Sequence, residues 1–441
     1  MGTLTCDRSH TFMGPPPRTR AARARRGLPG AGPYNRRMAP HYLDHAATTP
    51  MLAAAREAYV DELGHWGNPH ALHRSGRRAR GVVEDAREAL AGALGAHPSE
   101  VLFTSGGTEA DNLAVKGLWW SRRATDPRRT RVVTTAIEHH AVLDAARWLA
   151  RECGAALVVL PVDREGIVDL EALRAEVSAH GDEIALVAMM GANNEVGSLQ
   201  PVTEAARIAA EFGIPVHSDA VQLIGHAPFR FGDSGLSTAA ASTHKFGGPV
   251  GVGFLLARRG VALTPLAHGG GQERAVRSGT LNAAGIRATA VAAVEGVDSC
   301  PGEATRLASL QRDLIAGVRA TIPDAVLSGP EPGPLRLPGN AHFVFPGCAA
   351  EAMMYVLDSH GVEASTGAAC TSGVSQESHV LVAMGRTQRD ASSTMRFSLG
   401  HSSTREDVEA LLRHLPEAVE AAKRVGDRAP APAPAMREPR S

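Results

Sequence analysis

Seven short apolar runs recur between residues 100 and 257: Val101–Thr104, Arg131–Thr135, Ala156–Val162, Ile184–Met189, Ile214–His217, Ala239–Thr243 and Val252–Leu256. Short runs of this kind, without a clean alternation of polar and apolar positions, predict strands covered on both faces. Stretches with helical spacing lie between them, among them Glu109–Trp119, Ala141–Arg151 and Thr203–Phe212. This alternation predicts an α/β architecture built on a mostly parallel seven-stranded sheet. Beyond about residue 300 the pattern changes to helix, strand, helix, strand, and it closes on a long helix over Thr404–Arg424. Thr404 is its N-cap, with Glu406 and Asp407 in the first turn. That half predicts a smaller α+β lobe, and 441 residues suffice for two lobes.

Composition narrows the picture. Residues 1–37 are rich in Pro, Gly, Ala and Arg with little to bury, and they read as a disordered extension; Met38 is a candidate translation start. Ala-Pro-Ala-Pro-Ala-Pro over 429–434 reads as an extended tail. Residues 1–40 hold eight arginines against one acid, which leaves 38 basic and 45 acidic side chains elsewhere. A mildly acidic body has no general nucleic-acid footprint, and no apolar stretch approaches the ~20 residues of a membrane span. Five scattered cysteines without a Cys-x-x-Cys pair argue against a zinc site and a disulfide framework. The expectation is a soluble protein of the reducing cytoplasm.

Candidate chemistry sits at the ends of the predicted strands. Only three of 46 basic side chains are lysines, and Lys245 lies in Ser242-Thr243-His244-Lys245-Phe246-Gly247-Gly248-Pro249. Arginine cannot give up its proton at neutral pH, whereas a sheltered lysine becomes a nucleophile. A surface lysine on a loop would look the same in this window. Thr104-Ser105-Gly106-Gly107-Thr108-Glu109 turns a strand into a helix and can cradle an anion, or be a plain Gly-Gly cap. Asp219, in His217-Ser218-Asp219-Ala220-Val221-Gln222, stands where a carboxylate reaches the ligand crevice of an open sheet, or caps the next helix. Glu138-His139-His140 offers an imidazole at another strand end, or a simple helix start. Cys370 lies among the small residues of Ser365–Gly373, a mobile loop with an exposed thiol. Arg396, alone in the strand-like Met395–Gly400, suits a carboxylate held by two bonds.

Taken together, these segments resemble the class V, fold-type I pyridoxal-phosphate enzymes, and within them the NifS/IscS-like, longer-loop cysteine desulfurases. The likeness covers residues 41–425 and rests on motifs in the same order: Tyr42-Leu43-Asp44-His45-Ala46-Ala47-Thr48-Thr49-Pro50, Ser105–Asn112, Glu138-His139, Asn193-Asn194-Glu195-Val196-Gly197, Asp219 with Gln222, Ser242–Lys245, His268–Arg274, Arg277-Ser278-Gly279-Thr280, the Cys370 loop and Arg396–Gly400. It implies a small lobe built from residues 38–53 and 300–425, a cofactor lobe over 54–299, and a tail from 426. It further implies pyridoxal 5'-phosphate bound as a Schiff base on Lys245. Asp219 pairs with the ring nitrogen, Gln222 with the ring hydroxyl, and His139 stacks on the ring and moves protons. Gly107, Thr108, Ser242 and His244 hold the phosphate, and Thr280 reaches the phosphate of a neighbouring subunit, which makes a homodimer. Asn194 and Arg396 bind the substrate.

By the same likeness, L-cysteine becomes L-alanine while Cys370 carries the sulfur as a persulfide to an acceptor protein, an iron–sulfur scaffold or a thiolation enzyme. No metal site is implied, beyond contact of Cys370 with an iron–sulfur cluster during transfer, and no membrane or direct nucleic-acid partner. Gln272 stands where many relatives carry histidine, and the Pro-rich tail lacks the short apolar end by which some relatives bind a scaffold. A selenocysteine lyase shares nearly every motif, and a catalytically silent sulfur-relay scaffold is the alternative of another class.

Overall fold

The computed structural model of the protein describes residues 40–367, 370–371, 374–375 and 377–426, without the side chains of 370, 371, 374 and 375. The expected N-terminal extension, the tail beyond 426 and the Cys370 thiol lie outside the described residues. A two-residue strand, β1 (His41–Tyr42), leads into the chain, and the large sheet follows: β2 (Val101–Thr104), β3 (Arg131–Thr135), β4 (Ala156–Leu160), β5 (Ile184–Ala188), β6 (Val216–Asp219), β7 (Thr238–Ser242) and β8 (Gly253–Ala257). Their spatial order is β2-β8-β7-β6-β5-β3-β4. β5 and β7 are buried at every position, as strands with helices on both faces must be.

Only β8 runs against its neighbours, antiparallel to both β7 and β2. Residues 243–252 join it to β7 without a crossover helix, and a direct return of this kind gives antiparallel pairing. The strand ends differ slightly from the pattern-based expectation. β4 stops at Leu160 because Pro161, which has no N–H to donate, comes next. β6 starts after Pro215 and is carried to Asp219 by pairing with Ala240 of β7, which places Asp219 on the last residue of a central strand.

The second part of the chain adds β9 (Val326–Ser328), β10 (Asn340–Val344), β11 (Val362–Glu363), β12 (Cys370–Thr371), β13 (Val374–Ser375) and β14 (Thr394–Ser398). β14-β10-β9 form an antiparallel sheet, β1 pairs with β11, and β12 pairs with β13. Leu327, Ala341, Phe343, Met395 and Phe397 point from that sheet into a core shared with Leu314, Met353, Leu411 and Leu415, and Leu43 of the N-terminal segment joins it. The opposite face, with Asn340, His342, Arg396 and Ser398, is polar and buried. The closing helix spans Arg405–Gly426, and Asp407 accepts the Thr404 N–H at 2.7 Å, so the first turn is satisfied from within.

A helix of 39 residues, Ala283–Thr321, continues through Pro301 across residue 300. Ile286, Ala288, Ala290 and Ala292 belong to the core of the large sheet, and Leu307, Leu310, Leu314 and Val318 to that of the small one. Among the described residues no helix is long and apolar enough to cross a membrane. The carboxyl ends of β2, β3, β5, β6 and β7 lie along one edge of the large sheet, where open α/β sheets place their ligands.

Candidate active site

A cavity of about 680 Å³ opens on that edge. It is lined by Gly107, Thr108, His139, Asn194, Asp219, Gln222, Ser242, His244, Lys245 and Arg396, so nearly every residue singled out in the sequence converges there. Among the described side chains Thr280 is the exception: it is exposed and does not line the cavity of its own chain.

After β2 the chain turns through Ser105 and Gly106 into the helix Gly107–Thr125. A Cβ on Gly107 would stand 2.7 Å from Val221 Cγ2 and 3.3 Å from Ser242 Cβ. Only glycine therefore lets this helix start approach the ends of β6 and β7. Glu109 closes the turn by accepting from the Ser105 N–H at 2.7 Å and from Arg277 Nε at 2.7 Å. The result is a helix N-terminus flanked by the Thr108 and Ser242 hydroxyls and by His244, a suitable seat for an anion.

Lys245 ends a single turn of 3₁₀ helix after β7. Its Nζ donates to the carbonyls of Ala46 and Ala47 at 2.8 and 2.9 Å. Burial, with the Arg396 charge in support, pushes the amine down to about 8, while Asp219 and Asp44 pull the other way. A lysine in this range is free base far more often than an exposed one. Gln222 is held by the same segment, its Nε2 donating to Ala46 O at 2.8 Å.

Asp219 is 5 % exposed, and one of its oxygens accepts from the Val221 N–H at 2.9 Å. Burial raises its pKa, and His139, that N–H and Lys245 oppose the rise. His139 caps the helix His140–Cys153, its Nδ1 accepting from Ala141 N at 3.1 Å. Because Nδ1 accepts, the neutral ring carries its proton on Nε2, and burial favours that neutral form.

Arg396, on β14, is the contribution of the small sheet. One terminal nitrogen donates to Asn194 O at 2.9 Å and the other pairs with Asp44 at 2.7 Å. Its Nε is buried without a partner among the described residues.

Several groups beneath the cavity were not singled out in the sequence. Asp111 is 1 % exposed and meets His217 Nε2 at 3.1 Å, and His217 Nδ1 lies 2.9 Å from Thr238 Oγ1. Burial, reinforced by Asp219 and Glu138, raises the Asp111 pKa well above the usual range. Burial also pushes His217 down to about 3, which favours the neutral imidazole. Glu138 is held up near 8 by burial, although Thr135 Oγ1 and Met190 N donate to it. An acid inside the apolar periodicity of 109–119 was the available signal for Asp111. Nothing local marks the Asp44–Arg396 pair, whose members are 352 residues apart.

The aminotransferase class-V family profile matches residues 41–411. The chain belongs to this family, and within it to the cysteine desulfurases. It is 52 % identical to an IscS-like cysteine desulfurase of Mycobacterium tuberculosis over 383 residues, 87 % of this chain and 97 % of that protein. Among solved structures, a NifS-like protein superimposes with a TM-score of 0.79 at 35 % identity, covering 87 % of this chain and all of the other. SspA in complex with cysteine does so with 0.69 at 29 % identity, covering 81 % of this chain and 98 % of that one.

Proposed function

We propose that this cysteine desulfurase holds pyridoxal phosphate on Lys245, converts L-cysteine to L-alanine, and passes the sulfur through Cys370 to an acceptor thiol for iron–sulfur cluster assembly or thiolation. The observation that carries the reading is the convergence of a half-buried amine, a buried carboxylate at a strand end, an anion-binding helix start and a buried arginine on one cavity. The residues suit the cofactor. The Gly107 turn takes a phosphate where a Cβ would not fit, with Thr108, Ser242 and His244 around it. Asp219 is a buried carboxylate short of partners, and it suits a pyridinium nitrogen. Gln222 and His139 line the space between. Bound there, the cofactor supplies the electron sink for the pair released at the substrate's Cα.

The chain's own groups do the rest. Arg396 and Asn194 hold the carboxylate of cysteine and orient the amino acid. Lys245 Nζ takes the Cα proton, a task that suits an amine poised near 8. His139, with its proton on Nε2, assists proton transfer. The Cys370 thiolate attacks the substrate sulfur: the S–S bond forms, the Cβ–S bond breaks, and its electron pair stays with the substrate carbon. Protonation there gives alanine, so cysteine plus the Cys370 thiol become alanine plus a Cys370 persulfide. An acceptor thiolate attacks the outer sulfur and releases Cys370.

The solved complex of a relative with cysteine supports the substrate. Thr280, outside its own cavity, is free to complete the phosphate site of a second copy in a homodimer. The scattered cysteines suit a reducing cytoplasm. The deciding experiment measures alanine and sulfide from L-cysteine with a thiol reductant, for wild type and Cys370→Ala, with L-selenocysteine in parallel. Turnover of cysteine lost in the variant is expected. Turnover confined to selenocysteine makes the protein a lyase, and alanine formation without Cys370 refutes its role.

A further inference from the structure

One carboxyl in the cavity wall has no part in the reaction as written. Glu195 is 4 % exposed, lines the cavity, and directly follows Asn194. Its backbone is fixed: Asn193 Oδ1 accepts the N–H groups of Glu195 and Val196, each at 2.9 Å, while Asn193 Nδ2 donates to Ile137 O at 3.1 Å. Its side chain turns to a distant segment, where Glu195 Oε2 accepts a hydrogen bond from the Ser378 hydroxyl. Ser378 is 1 % exposed, and its oxygen also accepts from Leu381 N at 3.1 Å, opening the helix His379–Ala383. The next residue is tied down as well, because His379 Nε2 lies 2.9 Å from Glu138 O, beside His139. On the other side of Cys370, Ser365 and Arg396 exchange backbone hydrogen bonds at 3.3 and 2.7 Å. Both stems of the stretch that carries Cys370 are therefore anchored on segments that carry substrate and cofactor groups.

We propose that Glu195 is a positioning residue for the sulfur-transfer step. Through Ser378 it sets the stem of the Cys370 segment relative to Asn194 and Arg396, so that the thiol meets the sulfur of bound cysteine. This rests on the desulfurase reading above. Charge is not essential to the role: burial holds the carboxyl up near 7 against the pull of Ser378 and Arg396, and a carboxamide offers the same C=O acceptor to the hydroxyl. A misplacement of about 1 Å costs a reaction on the order of 100-fold, whereas the groups that grip the substrate stay in place.

The test uses the holoenzyme with Glu195→Ala, Ser378→Ala, the double variant and Glu195→Gln. Cysteine binding is read from the substrate-induced change in cofactor absorbance, and transfer from the rate of alanine formation. Each alanine variant is expected to lose roughly 10- to 100-fold in rate. The binding midpoint should stay within about threefold, the double variant should be no worse than either single one, and Glu195→Gln should retain most of the rate. Unchanged rates in Glu195→Ala and Ser378→Ala overturn the proposal. So does a binding midpoint that moves as far as the rate, which would make Glu195 a substrate-binding group. If Glu195→Ala does not fold, Ser378→Ala alone decides between these results. Wild type that forms no alanine from cysteine overturns the reaction itself, and that outcome is distinct from variants that match an active wild type.

Discussion

Replacing Arg396 by alanine is the sharpest perturbation of the substrate site. The guanidinium is 5 % exposed in the middle of β14, and its two terminal nitrogens already reach Asn194 O and Asp44. In the proposed site the substrate carboxylate shares or takes over the Asp44 contact, and the arginine then serves both a structural pair and the ligand. Truncating one member of a buried, hydrogen-bonded charge pair costs about 2–5 kcal/mol. At about 1.4 kcal/mol per tenfold, that corresponds to a rise in KM for cysteine of roughly 30- to several-thousand-fold. Cysteamine, which is cysteine without its carboxylate, provides the internal reference. Wild type should favour cysteine over cysteamine by a comparable factor, and Arg396→Ala should lose most of that preference. Thermal unfolding of both proteins separates the ligand effect from the loss of the Asp44 pair. A variant that binds cysteine as wild type does, or keeps the full preference over cysteamine, would show that the carboxylate is held elsewhere.

Further outcomes at three residues follow from the same geometry. Lys245→Ala should abolish the visible absorbance of the bound cofactor. In the apoprotein, the rate of cofactor uptake should rise with pH to an inflection near 8 instead of near the ordinary lysine value; a rate still climbing above pH 10 would contradict the assignment. The sign for stability follows: a lysine whose folded pKa is lowered leaves the unfolded chain binding more protons between about 8 and 10.5, so apoprotein stability should rise with pH across that window. Asp219→Asn should lower alanine formation by roughly 100-fold or more through the lost electrostatic partner, with the fold intact by circular dichroism. Gly107→Ala, whose Cβ would meet Val221 at 2.7 Å, should destabilise by about 1–3 kcal/mol through overpacking; its cofactor affinity, measured by equilibrium titration, should fall at the same time.

Much of the large sheet was legible in the chain, because strands buried on both faces read as unbroken apolar runs. β2 and β3 match their runs residue for residue, and the other strands shift by a residue or two where a proline or a pairing partner intervenes. The reversed direction of β8 was not legible, since hydrophobicity does not record which way a strand runs. Nor was the uninterrupted helix Ala283–Thr321, because Pro301 and the Gly302 after it resemble a break until packing into two cores holds the helix together.

The residue types of the site were decided locally. A rare lysine after a strand, an acid closing another, a glycine turn and a small-residue cysteine loop are all properties of short windows, and sidedness in an α/β sheet sends strand ends to one edge. Tertiary structure decided the environments. The lowered Lys245 amine, the Asp111–His217 contact, the Asp44–Arg396 pair and the Glu195–Ser378 bond join residues tens to hundreds of positions apart. Desolvation and hydrogen bonding depend on what surrounds a group in space, and the surrounding atoms come from segments that only the folded chain brings together.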